Sequence, residues 1–537
     1  MLLVPAAGML LAAQAVSRPP LPSTPLILDQ GRADRIQPVA PPQPSGAPPA
    51  GDGLAHVDTA GSGAPIAGIR FEGAKVPAAV ADAARGFIGQ PATRALLDKL
   101  VRAMSAAYAK SDVALYTIAI PDQDLSQGTV RVQVAEGYIE RVVYPKPASP
   151  LLRAYAARLM AEKPLSRRAL ERYLSLMRDV AGAKIEVQLL RGTRRGGVIL
   201  SLAPAREHSD FAVGFDNQGT RDLGTGQLRA EAHGYSLLRD GDRTDLTLLG
   251  ATDLKRFRYI SFAHATPIGA DGLTATLSAG YLETRPRHTA LEGEAETIGL
   301  SLAYPLLRGY RKNLSISLGL DGLNSDAAYV GSLISSDRTR ALRLAAGYSN
   351  VGTKSAISGG LTFSHGLDIL GARSLAGITD TVFDKVNARA TWDRQIGKRV
   401  VFRLRASGQY SRDRLAASEG FAIGGADFGR AFDSALLTGD RGAAGLVELA
   451  LRPHLPKAID GSELYGFVDG ATVRMAGRLG QRARHYDLAS AGAGLRLAWR
   501  DRGSIELEAA RAIDDPYAGY RGHWRINIGW RLSLRRK

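Results

Sequence analysis

Cysteine is absent from the 537 residues, which excludes disulfides, Cys-ligated zinc, iron–sulfur clusters and thiol nucleophiles. Long apolar runs are also missing. Beyond the first fifteen residues nothing approaches the ~18 consecutive apolar residues a membrane-crossing helix needs. Mean hydropathy is -0.09 although 45% of residues are hydrophobic, so apolar side chains are plentiful but dispersed. A membrane protein of this composition would have to cross as a barrel, where alternation dilutes the apolar residues. Catalytic signatures are lacking too: there is no Gly-x-Ser-x-Gly elbow, His-Glu-x-x-His helix or Gly-x-x-x-x-Gly-Lys phosphate loop. The nine histidines are dispersed, and Gly224-Thr225-Gly226 and Gly492-Ala493-Gly494 are lone pairs inside strand-like stretches. No catalytic residue, metal site or cofactor is assigned, and the chain is not expected to be an enzyme.

Positive charge exceeds negative, 69 Lys and Arg against 52 Asp and Glu, for a formal net charge of +17. A basic chain invites a nucleic-acid reading. Here the cations are scattered along strand-like stretches, and the one basic run, Arg535-Arg536-Lys537, is short. Solvated or lumen-lining charge is expected instead, and no nucleic-acid partner. The 60 glycines suit many turns and closely approaching strands.

Met1 to Ala15 has a Leu/Ala-rich core and a small-x-small site at Ala13-Gln14-Ala15, but no Lys or Arg before the core. It reads as an atypical signal peptide. Residues 16–65 are rich in Pro, Gly and Ala (Pro41-Pro42-Gln43-Pro44, Pro48-Pro49) and read as an extended linker. Only Leu26 to Gln37 offers a short helix there. From Ile66 the texture is mixed α/β. Ala67 to Phe71 reads as a strand, and Ala78 to Phe87 and Thr93 to Lys110 as helices. The second helix carries Leu96, Leu97, Leu100, Val101, Met104 and Tyr108 at the spacing of a buried face. Strands at Leu115 to Ile120 and Thr129 to Val134 follow. The order then repeats with a strand at Tyr138 to Tyr144, helices at Leu151 to Ala161 and Ser166 to Val180, and strands at Lys184 to Leu190 and Gly197 to Leu202. The result is two consecutive β-α-α-β-β units, 66–137 and 138–206. Neither gathers catalytic residue types. Both read as docking modules with a sheet edge open to an incoming strand.

From residue 209 to 537 helical periodicity disappears, and about sixteen segments alternate apolar and polar residues between Gly/Asp/Asn-rich turns. In the last, Trp524, Ile526, Ile528, Trp530, Leu532 and Leu534 alternate with Arg525, Asn527, Gly529, Arg531 and Ser533. A soluble sandwich alternates as well, so three further features decide for a membrane barrel. The strands run on unbroken, with roughly 20 residues per strand and connection, room for the ~9–11 residues a membrane strand needs. Aromatics recur near the ends of apolar faces (Tyr235, Tyr281, Tyr304, Tyr348, Trp392, Tyr410, Trp530), as an interfacial girdle requires. The polar faces carry full charges, among them Arg229, Glu231, Arg343, Arg389, Asp393, Arg403, Arg405, Glu448, Glu506 and Glu508, which suits a wet lumen. The alternation places Ile528 against lipid and Asn527 in the lumen, so arginine is expected to be costly at 528 and mild at 527.

Three stretches carry a family resemblance. Tyr116-Thr117-Ile118-Ala119-Ile120-Pro121-Asp122-Gln123-Asp124-Leu125, with Gly128 and Val132 to Ile139, resembles the end of the first POTRA domain of the TpsB transporters of two-partner secretion, the ShlB/FhaC/HecB haemolysin secretion/activation family. Gly424-Gly425-Ala426-Asp427-Phe428-Gly429-Arg430-Ala431-Phe432, followed by Gly439-Asp440-Arg441-Gly442, is similar to the family's conserved-loop motif. The core here is Gly-Arg-Ala-Phe where the family has Val-Arg-Gly-Phe/Tyr. Phe467-Val468-Asp469-Gly470-Ala471 resembles its Phe-x-Asp-x-Gly strand motif, with Ala at the last position.

The resemblance implies α+β POTRA domains (POTRA 1 at 66–137, POTRA 2 at 138–206), followed by an all-β antiparallel transmembrane barrel of about 16 strands at 209–537. A loop near 412–441 would fold into the lumen. Arg430, Phe432, Phe467 and Asp469 are the implied loop-anchor or gating residues, and Gly424, Gly425, Asp440 and Gly442 belong to the loop motif. A wall carboxylate can take a guanidinium bidentately, which makes Arg430–Asp469 the expected pair. The alternatives are a solvated loop arginine and a routine lumenal acid.

The implied protein is a monomer in the outer membrane of a Gram-negative bacterium, with its POTRA domains in the periplasm. It would export an unfolded haemolysin- or adhesin-like exoprotein, and its other partners would be outer-membrane lipid and, during biogenesis, the barrel assembly machinery. An assembly insertase of the same superfamily and a passive porin are the competing readings. The insertase would be expected to carry more POTRA units, and the porin has no use for tandem docking domains.

Overall fold

Three hydroxyl side chains start three of the four helices described in the front region. Thr93, Ser149 and Ser166 each accept the N–H of the third helical residue, from Leu96, Leu152 and Ala169, as N-caps do. The structure is a computed structural model that describes residues 55–535 except 457, 460, 500, 501, 518, 519 and 521. Helices α1 (Ala78–Arg85) and α2 (Arg94–Lys110) cover one sheet, in which β1 (Ala55–Val57), β5 (Tyr116–Ile120), β6 (Thr129–Glu136) and β3 (Gly68–Gly73) lie side by side; β2 (Gly61–Pro65) pairs separately with β4 (Pro91–Thr93). Leu97, Leu100, Val101, Met104 and Tyr108 of α2 are buried against Ile118, Ile120, Val130, Val132 and Val134. The second unit sets α3 (Pro150–Met160) and α4 (Arg167–Asp179) on the sheet β7 (Tyr138–Val143), β9 (Gly197–Arg206), β8 (Ala183–Arg191).

The signal segment and linker residues 16–54, including Leu26 to Gln37, lie outside the described residues. Residues 55–65, expected to be linker, instead contain the strands β1 and β2. The reason is tertiary. β1 pairs in parallel with β5 and buries Val57, and three residues beside a Gly/Pro-rich tract are too few for any alternation to register.

The rest of the chain is a closed antiparallel barrel of sixteen strands. These are β10 (Ser209–Asp216), β11 (Gln227–Tyr235), β12 (Arg243–Ala251), β13 (Phe257–Ile268), β14 (Leu273–Thr284), β15 (Leu291–Arg308), β16 (Lys312–Tyr329) and β17 (Ser332–Val351). They continue with β18 (Ser355–Gly366), β19 (Asp384–Ile396) and β20 (Val400–Ser411), then, past the short loop strands β21 (Phe421–Ile423) and β22 (Leu437–Gly439), with β23 (Arg441–Leu451), β24 (Glu463–Met475), β25 (Arg484–Trp499), β26 (Gly503–Asp514) and β27 (Trp524–Arg535). β27 closes the ring on β10, with Asp216 opposite Gly529 and Asp210 opposite Arg535. Because side chains alternate along a strand, Leu277, Ile298, Leu300, Leu318, Leu344 and Phe363 stand exposed outside, while Ser278, Asp321, Arg343 and Glu448 are buried within.

The last strand follows the expected register, with Ile528 exposed outside and Asn527 buried inside. Ile528→Arg is therefore expected to cost ~2–4 kcal/mol near the midplane, read as a lower unfolding temperature in heat-modifiable gel mobility. The expected mildness of arginine at 527 does not hold. The Asn527 amide is buried and donates to the Arg430 carbonyl at 3.1 Å and to Glu508 at 2.9 Å, so this lumenal position is already filled by a docked loop.

The second α/β unit is fastened to the near end of the barrel, at two turns and at the end of β15. Arg172 of α4 donates to the carbonyls of Pro305 at 2.8 Å and Asp271 at 2.7 Å, and Tyr173 donates its hydroxyl to the Asp271 carboxylate at 2.9 Å. Arg308 forks onto Asp179. Asp240, in the turn after β11, accepts the Leu151 N–H in the first turn of α3, where the helix dipole favours an anion.

Candidate functional site

The stretch from 412 to 440, between β20 and β23, is a hairpin folded into the barrel and closed by the β21–β22 pair. Its tip is shaped by glycine. Gly424 and Gly425 have φ of 99° and 98°, and a Cβ at 424 would lie 2.4 Å from the Asp433 carbonyl, one at 425 only 2.7 Å from the Ser434 hydroxyl. Neither the conformation nor the space admits a side chain. At the base, Asp440 accepts the N–H groups of Leu415 and Ala476, both at 2.7 Å, and pairs with Arg478. Gly442 follows where a Cβ would sit 2.5 Å from the Thr472 carbonyl. Outside the membrane-spanning strands, Arg414 forks onto Asp380 of the preceding loop and holds its carboxyl below the usual range.

Phe421, Ile423, Phe432, Leu436 and Leu437 of the hairpin pack with Leu446, Tyr465, Phe467, Val473 and Leu488 of the wall. Phe432 is fully buried, with its ring 5.3 Å from that of Tyr520. Arg430 is 5% exposed, and its guanidinium lies over the Phe467 ring at 4.6 Å.

The sequence expectation joined this guanidinium to Asp469, and the structure corrects the partner. Arg430 Nη1 donates to Glu508 on β26 at 2.8 Å and lies 3.6 Å from Glu448 on β23, while Nε donates to the Ala426 carbonyl. Asp469 does hold the loop, but by its main chain: it accepts the Arg430 N–H at 3.2 Å and the Ser490 hydroxyl at 2.6 Å. The cause is reach. The hairpin backbone runs close enough to β24 for the short aspartate to meet the peptide, and the long arginine passes over Phe467 to the next acid on the wall.

That acid belongs to a lattice. Glu448 takes both Arg496 nitrogens at 2.7 and 2.8 Å and Arg403 at 2.7 Å. Glu463 is shared by Arg403 and Arg452. The Tyr465 hydroxyl lies 2.8 Å from Glu506 and 2.9 Å from Glu508, and Arg496 stacks on the Tyr465 ring. Charges of both signs are thus interleaved around the arginine, as burial of ions requires. Arg525 adds a tether from β27 to the Phe432 carbonyl and to Asp433 at 2.6 Å. Glu508 and Glu448 were legible as lumen-facing charges, but their link to Arg430 was not, and Asn527 carried no signal beyond its inward parity.

The chain has relatives among known proteins. The sequence model of the family described as haemolysin secretion/activation protein ShlB/FhaC/HecB matches residues 197–497, and that of the POTRA domain, ShlB-type, matches residues 64–137. The heme/hemopexin transporter protein HuxB of Haemophilus influenzae is 22% identical over 466 residues, 80% of each chain. The outer membrane transporter CdiB of Dickeya dadantii is 24% identical over 388 residues, 64% of this chain and 66% of the relative. Among solved structures, CdiB from Escherichia coli superposes with a TM-score of 0.74 at 18% identity, covering 99% of this chain and 100% of that one.

Proposed function

The chain belongs to the haemolysin secretion/activation protein family ShlB/FhaC/HecB, and from that membership we propose that it takes an unfolded, secreted exoprotein from the periplasm and passes it through its barrel to the cell surface. The barrel lies in the outer membrane of a Gram-negative bacterium, with the POTRA region in the periplasm. We take 138–206 as a second POTRA domain and the 412–441 hairpin as the gate. The observation that carries the reading is the hairpin itself. It occupies the lumen, yet hydrogen bonds and ion pairs fasten it at its tip, so it can be let go and regained without breaking a covalent bond. A passive pore gains nothing from such a plug.

The front half offers a place for an extended client. β8 pairs with β9 on one side only among the described residues. Along it Lys184, Glu186 and Gln188 are exposed and alternate with the half-buried Ile185, Val187 and Leu189, so a client strand added at this edge finds backbone partners and charged side chains together. The test is co-expression with a large secreted protein encoded beside this chain. Its appearance in the medium should depend on the barrel. Unchanged secretion without the barrel, or steady small-solute flux through the resting protein at porin rates, would leave the exporter reading without support.

A further inference from the structure

The hairpin carries a second buried ionic contact, made to other strands of the wall than those that meet Arg430 and outside both sequence motifs. Glu419 closes the short 3-10 turn Ala417–Glu419 at the start of the hairpin and is fully buried. Its carboxylate receives Arg343 of β17 at 2.7 and 3.2 Å and the ammonium of Lys385 of β19. Its carbonyl accepts Lys385 at 2.9 Å and Gln409 of β20 at 3.0 Å. Arg343 also donates to Asp321 of β16 at 2.9 Å and to Ser364 of β18 at 2.9 Å. Asp321, Arg343 and Lys385 are each more than nine-tenths buried, and two acids face two bases.

Merely ordering the entry arm of a loop does not call for this cluster, since apolar contacts suffice. Leu415, Ala416 and Phe421 already bury there. Burying a carboxylate is costly unless its partners are placed beforehand, and here Arg343 and Lys385 are supplied by the barrel wall. With Asp321, Ser364 and Gln409 they stand on β16 to β20, whereas the Arg430 side chain and peptide are held from β23, β24, β26 and β27. The hairpin is therefore moored to two neighbouring sectors of the wall, which meet where β20 pairs with β23.

We propose that Glu419 is a second latch of the gate: a positioning residue that holds the entry arm of the hairpin on the β16–β20 sector and sets how tightly the resting pore is shut, independently of the Arg430 contact. The inference rests on reading the hairpin as a gate. It makes the gate a two-point device, in which letting go of one sector swings the hairpin aside while the other keeps it in the barrel. The wall partners described above for the two latches differ, so their effects on opening should multiply.

The experiment is single-channel recording of the full-length protein in planar bilayers, with heat-modifiable gel mobility confirming a folded barrel. Glu419→Gln should raise the open fraction of the resting pore at least about tenfold, Glu419→Asp should restore most of the closure, and Glu419→Gln combined with Arg430→Ala should open more than either alone. Glu419→Gln leaves two buried cations facing one carboxylate, so it can fail to assemble. The double variant Glu419→Gln, Lys385→Gln keeps the cluster neutral and then carries the same expectation. A pore that stays as closed as the parent in the folded variant, or Glu419→Asp behaving like Glu419→Gln, overturns the latch. Client export by the parent chain is measured separately, so failure of the exporter reading would be distinguishable from failure of this one.

Discussion

Arg430→Ala is expected to reduce export to background while the barrel remains inserted at the parent level. The side chain is buried, its charge is met by Glu508, and its removal takes from Glu508 the cation that the hairpin brings to it. Taking one member from a buried pair costs about 3–5 kcal/mol, a shift on the order of 10²–10⁴ in the balance between docked and released hairpin. The barrel does not share this loss, because its ladder closes without the hairpin. Arg430→Lys should do nearly as badly, since an ammonium cannot serve both the Ala426 carbonyl and Glu508. The geometry also separates the two acids. Asp469→Asn keeps an oxygen for the Arg430 N–H and should be mild, whereas Glu508→Gln removes the charge the guanidinium faces and should be severe. Arg430→Ala with Glu508→Gln should be no worse than the poorer single change, because paired partners are not additive. Secretion normalised to outer-membrane protein level decides it. An Asp469→Asn defect as deep as that of Arg430→Ala would return the guanidinium to Asp469.

Removing the whole front region is expected to abolish export and leave a conducting barrel. The first unit begins with β1 at Ala55, so the clean deletion is 55–206; one starting at 66 would strand β1 and β2. The barrel loses the contacts of Arg172, Tyr173 and Asp179 with Asp271 of the β13–β14 turn and with Pro305 and Arg308 at the end of β15, contacts that come on top of the strand pairing there and do not replace it. Conductance in planar bilayers should persist, and should rise if α4 narrows the mouth. Export at the parent level from the deleted form would end the docking role assigned to these units.

The parts legible in the sequence were those with a period. Leu97, Leu100, Val101, Met104 and Tyr108 announced the buried face of α2, and the alternation from Trp524 to Leu534 set the register of β27, which the barrel keeps. A capping Ser or Thr marks each long helix start in the front region. Neighbours across strands were not legible. Arg430 and Glu508 meet only because β23 to β26 lie side by side in one stagger, which no local pattern encodes. Glu419 is a single acid in a loop, indistinguishable in sequence from a solvated one until Arg343 and Lys385 are brought to it. Asn527 showed the right parity, but parity alone does not reveal that a hairpin fills the space in front of it.

The closing pair of strands has a consequence for how the protein is made. β10 and β27 zip together from Asp216 with Gly529 to Asp210 with Arg535, partners roughly 300 residues apart in sequence, and contacts of such separation form slowly. Every other ladder in the barrel joins consecutive barrel strands and can grow hairpin by hairpin. Until the last strand arrives, the sheet is an open ribbon with two unsatisfied borders, each a template for misjoining with another chain. Nascent copies released together are open to pairing border to border, and that exposure ends for each chain only when β27 takes its place on β10.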